Sequence, residues 1–133
     1  MAQLRRHGPL AAFDISLRLA DTGAYVEGVR AAIRTRWPAA RLWAFGHLGD
    51  GNVHVAVHVP DLDAAGRIEL DQMVYGPLRA LQGAVSAEHG IGIEKKPWLG
   101  QSRTPEEIAL MRTLKRSLDP RNVLNPGRVF DLN

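Results

Sequence analysis

Cysteine is missing from the sequence, which excludes disulfides and thiolate metal sites together and leaves any metal to nitrogen and oxygen donors. No apolar run is long enough to cross a bilayer, and the N-terminus carries no signal-peptide pattern. A cytoplasmic protein with no transmembrane segment is therefore expected. Aromatic residues make up only 6% of the chain, too few to build a stacking platform for single-stranded nucleic acid. The basic residues are dispersed as well: the densest groups are "LRR" at 4–6, "KK" at 95–96 and "RTLKR" at 112–116. With a net charge of only +3 and no concentrated basic face, no nucleic-acid partner is expected. What is present, 45% hydrophobic and 23% charged residues over 133 positions, suits one soluble domain spanning 1–133 with a real core.

Periodicity orders the elements. "AAFDISLRL" alternates as a strand, and Thr22 opens a helix in which Tyr25, Val26, Val29, Ile33 and Trp37 recur at helical spacing until Pro38 stops it. "RLWAFGHL" and "NVHVAVHV" read as two strands joined by a tight Gly-Asp-Gly turn. A second helix follows in "DLDAAGRIELDQMVYGPLRALQG", with a break near Gly76-Pro77, and "AVSAEHGIG" reads as a short strand entering a glycine-rich loop. Thr104 and Glu107 form a capping box around Pro105, opening an amphipathic helix through Ile108, Leu110, Met111 and Leu114. The order β-α-β-β-α-β plus a C-terminal helix predicts an α+β, ferredoxin-like fold: an antiparallel sheet with helices on one face.

Three of the chain's five histidines fall within "FGHLGDGNVHVAVHV". A two-residue turn at Asp50-Gly51 would set His47 directly opposite His54, with Cβ atoms about 4.5–5.5 Å apart, a separation that lets two imidazoles converge on one metal. Alternation then places Trp43, Phe45, Ala56 and His58 on the histidine face. Leu42, Ala44, Leu48, Val53, Val55, Val57 and Val59 take the other face, toward the helices. A face that only met water would not need Trp43 and Phe45, so a ligand, another domain or a second copy of the chain is expected to cover it, and homo-oligomerisation is one way to do so. Two histidines alone do not make a site, and strand histidines bonded to loops would give the same pattern.

"SAEHGIG" adds a carboxylate and a histidine side by side. Glu88 can complete a two-histidine, one-carboxylate set, which leaves coordination positions open as a catalytic metal requires. His89, next to it and unbound, is then suited to act as a general base. The alternative is a surface carboxylate beside a loop histidine.

Taken together and in order, "GHLGDGNVH", "SAEHGIGIEKK" and "LDPRNVLNPGRVF" resemble the C-terminal domain of the FAD-linked oxidases and dehydrogenases of 2-hydroxy acids. That family includes D-2-hydroxyglutarate dehydrogenase, D-lactate dehydrogenase and the glycolate oxidase flavoprotein subunit. The resemblance implies that His47, His54 and Glu88 hold a divalent metal, usually zinc, and that His89 accepts the hydroxyl proton. It implies oxidation of a D-2-hydroxy acid to a 2-keto acid with hydride transfer to FAD. Lys95 would meet the anionic substrate, and Asn125 in "NPG" would lie near the flavin.

The same resemblance implies a separate FAD-binding domain or flavoprotein subunit as partner, expected to lie outside this chain, without which the reaction is not completed. One position departs from the pattern. Two residues after the second motif histidine, 2-hydroxyglutarate dehydrogenases carry a substrate-contacting asparagine where this chain has Ala56, which weakens the case for that substrate. The contrasting reading is a non-catalytic ferredoxin-like binding or oligomerisation module that retains a vestigial metal motif.

Overall fold

Strand β1 (Ala11–Ser16), helix α1 (Leu19–Arg36), strands β2 (Arg41–His47) and β3 (Asn52–His58), helix α2 (Ala64–Tyr75) and helix α3 (Pro105–Leu118) follow one another in the computed structural model, which describes residues 9–47 and 49–132. The basic stretch at 4–6 and Leu48 lie outside the described residues. Helix α1 starts three residues before Thr22, and the Arg18 guanidinium pairs with Asp21 at 2.9 Å across the first turn. It ends where Pro38 requires, with the Trp37 N–H reaching the Ile33 carbonyl at 2.8 Å. In α2, Asp63 caps the N-terminus by accepting from the Gly66 amide at 2.7 Å, and at Gly76-Pro77 the helix gives way to a 3₁₀ turn, Gly76–Leu78. The Thr104–Glu107 capping box and the Pro105 start of α3 form as the sequence predicts.

The strands form one antiparallel sheet in the order β1-β3-β2, so β3 is central. Its valine face, Val53, Val55 and Val57, is buried with Phe13 and Ile15 of β1, Tyr25, Val29 and Ile33 of α1, and Leu70 and Val74 of α2. Those side chains are the core, and their removal from water is the main driving force for holding α1 and α2 on one side of the sheet. Tyr25 satisfies its hydroxyl there by donating to the Val74 carbonyl at 2.7 Å, and burial pushes its pKa up. Ala44 lies on this face as expected, opposite Val55, yet stays exposed because β2 is the edge strand, while Leu42 packs against the core.

The hairpin register differs from the expected one. Phe45 pairs with His54 and His47 with Asn52, so the connection runs from residue 48 to residue 51, four residues rather than two. Two features, one local and one tertiary, set this length. Asp50 accepts from the Asn52 amide at 3.0 Å through its side chain, and Gly51 takes a left-handed φ of 72° with its carbonyl on the Leu17 amide at 3.2 Å. A slip of one residue on each strand preserves the alternation, so His47 and His54 still share a face but as diagonal neighbours.

Gly51 is needed here twice over: its φ suits glycine, and a Cβ would lie 2.1 Å from the Leu17 carbonyl oxygen. Gly51→Ala is expected to cost about 3 kcal/mol of stability, read as a lower urea midpoint with unchanged slope.

The α+β class and the antiparallel sheet hold, but the last predicted strand is reduced to a single bridge in which Ser16 and Ala84 exchange both backbone hydrogen bonds, at 3.0 and 2.7 Å. The bridge lies on the outer edge of β1, where a ferredoxin-like order would seat a fourth strand. Beyond it the chain does not continue the ladder: the Val85 amide donates to Ser102 Oγ at 2.7 Å, and the next amides turn inward to a carboxylate on β1.

Candidate metal centre

The face of the sheet opposite the core is built by β1, β3 and β2 side by side: Asp14 is the register partner of His54, and His54 of Phe45. His47 projects from the end of β2, one diagonal step away, and its ring lies 5.9 Å from that of His54 in an edge-to-face arrangement. Glu88 reaches this pair from the loop after the bridge. His47 Nε2 lies 3.4 Å from Glu88 Oε1, and His54 Nε2 lies 3.7 Å from Glu88 Oε2. One donor atom from each of the three residues falls within 4.8 Å of the others. These are the three residues that the sequence marked as ligands, and the fold brings them together.

His89 is adjacent: its ring centroid is 5.7 Å from that of His54, with the planes 30° apart, and its side chain is 62% exposed, open to a ligand from solvent. Lys95, in contrast, points inward. Its Nζ donates to Ser86 Oγ at 2.9 Å and lies 3.5 Å from Asp14 Oδ2, with the side chain only 12% exposed. Burial pulls the Lys95 pKa down, and the Asp14 charge opposes that. Asn125 sits in the exposed turn after α3 with a left-handed φ of 50°, its carbonyl accepting from the Arg128 amide at 3.3 Å. That tail is tied to the glycine loop by the Val129 amide on the Gly92 carbonyl, at 2.8 Å. His58 lies at the far end of β3, its Nδ1 3.3 Å from the Pro9 carbonyl.

Sequence reasoning passed over Asp14. It is the one ionisable residue of "AAFDIS", and alternation alone puts it on the face opposite Phe13 and Ile15, the signal that would have found it. It is 1% exposed. Its Oδ2 accepts from the amides of Ala87, Glu88 and His89 at 3.2, 2.9 and 2.8 Å and from Ser86 Oγ at 3.2 Å. Burial alone would raise the pKa of this carboxyl, but the His89 and Glu88 amides, the Lys95 charge and Ser86 outweigh it and hold it at about 2. The carboxylate is therefore charged at any physiological pH.

The donor chemistry fits a divalent cation: two imidazole nitrogens and a carboxylate in a half-open arrangement. Among the described residues, the buried side-chain polar atoms without a hydrogen-bond partner are Asp14 Oδ1 and both amide atoms of Asn52. Asp14 and Asn52 are the cross-strand partners of His54 and His47, so the unsatisfied atoms gather where the ligands do. Asp14, His54 and His89 form a second group of suitable spacing. It is the less suited of the two, since the Lys95 ammonium lies 3.5 Å from the Asp14 carboxylate and would repel a second cation. A cavity of about 580 Å³ lined by Ser16, Arg18, Arg79 and Ser102 contains none of the predicted site residues, so donor chemistry rather than concavity marks the centre.

The fold is an antiparallel α+β domain that gathers two histidines and a glutamate whose donor atoms are spaced so that they could hold a metal ion, with a third histidine alongside. More specifically, the chain belongs to the FAD-linked oxidase C-terminal domain family, which matches it over residues 1–129. It is 38% identical over 123 residues to a D-2-hydroxyglutarate dehydrogenase of Xanthomonas citri pv. viticola, covering 89% of this chain and 26% of that protein. It is 40% identical over 128 residues to the mitochondrial D-2-hydroxyglutarate dehydrogenase of Bos taurus, covering 96% and 23%. The Arabidopsis thaliana mitochondrial protein of the same name is 32% identical over 127 residues, covering 96% and 22%. The chain thus spans about a quarter of the length of these curated relatives. No helix among the described residues is long and apolar enough to cross a membrane.

Proposed function

We propose that the chain is the metal-binding and substrate-binding portion of a flavin-dependent dehydrogenase that oxidises a D-2-hydroxy acid to a 2-keto acid. The observation that carries this reading is the convergence of His47 Nε2, His54 Nε2 and the Glu88 carboxylate, with the His89 imidazole beside them. In this reading those three side chains hold a divalent metal, and zinc is the one that the family resemblance implies. The metal would supply a Lewis acid for the substrate hydroxyl, and FAD, carried by the remainder of such an enzyme, would supply the hydride acceptor. His89 takes the hydroxyl proton. Lys95 contributes through Ser86 and Asp14, keeping positive charge under the loop that the anionic substrate meets. Asn125 is assigned to the flavin side, at the turn that the tail holds against the glycine loop.

An FAD-binding domain is the required partner. Phe45 and the α3 residues Leu110, Leu114 and Leu118 are exposed apolar surface that the rest of such a protein would cover. Ala56, buried opposite Trp43 on the site face, offers no amide to a distal carboxylate, so D-lactate and other short D-2-hydroxy acids belong beside D-2-hydroxyglutarate as candidates. The cytoplasmic expectation competes with the mitochondrial location that the names of the cattle and Arabidopsis relatives carry.

The test is anaerobic flavin reduction by the chain joined to its FAD-binding domain, with a panel of D- and L-2-hydroxy acids. Bleaching by a D-acid, lost on chelation and restored by zinc, is the expected result. No bleaching by any 2-hydroxy acid, with flavin and metal both bound, would refute the assignment.

A further inference from the structure

Asp14 is the most completely buried charge in this face, and in the proposed function it figures only as a partner of Lys95. Its two oxygens have different neighbours. Oδ2 accepts three consecutive backbone amides, those of Ala87, Glu88 and His89, so the loop that carries the third ligand and the base is wound around one carboxylate oxygen. Oδ1 has no hydrogen-bond partner and faces His54 Nδ1 at 3.9 Å. The opposite nitrogen of that ring, Nε2, is the one directed at Glu88. His54 therefore lies between a buried carboxylate and the ligand set, with 16% of its side chain exposed.

From this arrangement we infer that Asp14 is a positioning residue of the metal centre: its Oδ1 holds His54 in the tautomer with the proton on Nδ1, leaving Nε2 as the metal-directed nitrogen, while its Oδ2 fixes the backbone from which Glu88 and His89 project. The physical basis is general. A neutral imidazole binds metal through its unprotonated nitrogen, and a carboxylate accepting from the other nitrogen both selects that tautomer and fixes the ring. The Oδ1 lone pairs, buried away from water, gain the partner they lack when the ring moves roughly 1 Å closer than its present 3.9 Å. Because both oxygens act at once, one side chain on β1 couples β3, which carries His54, to the loop that carries both Glu88 and His89. The inference rests on the metal reading above for its consequence, but its geometric core, the His54 tautomer, does not.

Asp14→Asn separates the two jobs. The amide oxygen can take the place of Oδ2 and keep the three backbone donors, but its NH₂ then faces His54 Nδ1 and favours the wrong tautomer. A residue that only pinned the loop would tolerate this change; a residue that orients His54 would not. The experiment uses the full 133-residue chain. First, nitrogen-15 shifts of the metal-free wild-type imidazoles are recorded near pH 8, above the ordinary histidine range of about 6.5, with His54 assigned by its loss in His54→Gln. Second, zinc affinity is measured for wild type and Asp14→Asn by competition with a chromophoric chelator.

The expected results are an Nδ1-protonated His54 in wild type and a roughly 10- to 100-fold weaker zinc affinity in Asp14→Asn, at unchanged circular dichroism. An Nε2-protonated His54 in wild type, or a folded Asp14→Asn chain that binds zinc within about twofold of wild type, would overturn the inference. If Asp14→Asn does not fold, the wild-type tautomer decides alone. A wild-type chain that takes up no zinc would sink the metal reading, while the tautomer would still judge Asp14.

Discussion

Glu88→Gln is expected to weaken zinc binding by about a hundredfold or more without unfolding the chain. The magnitude follows from charge and count. Outer-shell partners of a metal ligand are already worth about 10- to 100-fold in affinity, and Glu88 is the one anionic group among the three donors, so its neutral amide removes both a good ligand and the charge that offsets the cation. The fold should not register the change, because the Glu88 side chain is 49% exposed and the loop is held by its backbone amide on Asp14 rather than by its carboxylate. Chelator competition measures the affinity, and the thermal unfolding midpoint serves as the control. A Glu88→Gln chain with wild-type affinity would remove the carboxylate from the ligand set.

The second large effect concerns proton transfer. In the flavin-containing enzyme, His89→Asn is expected to lower kcat for the D-2-hydroxy acid by about two to four orders of magnitude, while zinc affinity stays within a few-fold of wild type. The separation is possible because the two roles rest on different atoms. The His89 backbone amide donates to Asp14 and is retained in the variant, whereas the exposed imidazole is outside the trio of ligand atoms. Stopped-flow flavin reduction reads the chemical step directly. Equal loss of zinc and activity would instead make His89 a ligand.

Much of this was legible in the amino-acid sequence, and the parts that were not have identifiable physical causes. Strand alternation has a period of two, so face membership survives any even slip. His47, His54, Phe45 and Ala56 were correctly assigned to one face although the hairpin pairing was displaced by one residue on each strand. The displacement itself depends on a tertiary contact, the Gly51 carbonyl receiving the Leu17 amide, which no local turn rule contains. The capping box of α3 and the break at Gly76-Pro77 were readable because each is a short-range hydrogen-bond or steric event.

The short strand expected at the start of "AVSAEHGIG" shrinks to one bridge for the opposite reason. Its amides are claimed by a carboxylate more than seventy residues earlier, an arrangement visible only once β1 and the loop lie side by side. Asp14 was missed with it. Lys95 illustrates the same limit: the resemblance implied a substrate contact, and only the fold shows that its Nζ lies with Ser86 and Asp14 beneath the loop.

The most direct test of the central claim is zinc stoichiometry. The full chain and a His47→Ala, His54→Ala double variant would be stripped of metal, titrated with zinc, dialysed against a weak chelator and analysed for bound metal. About one equivalent in wild type and none in the folded double variant is the result this account predicts. The same zinc content in both chains, or none in either, would contradict it.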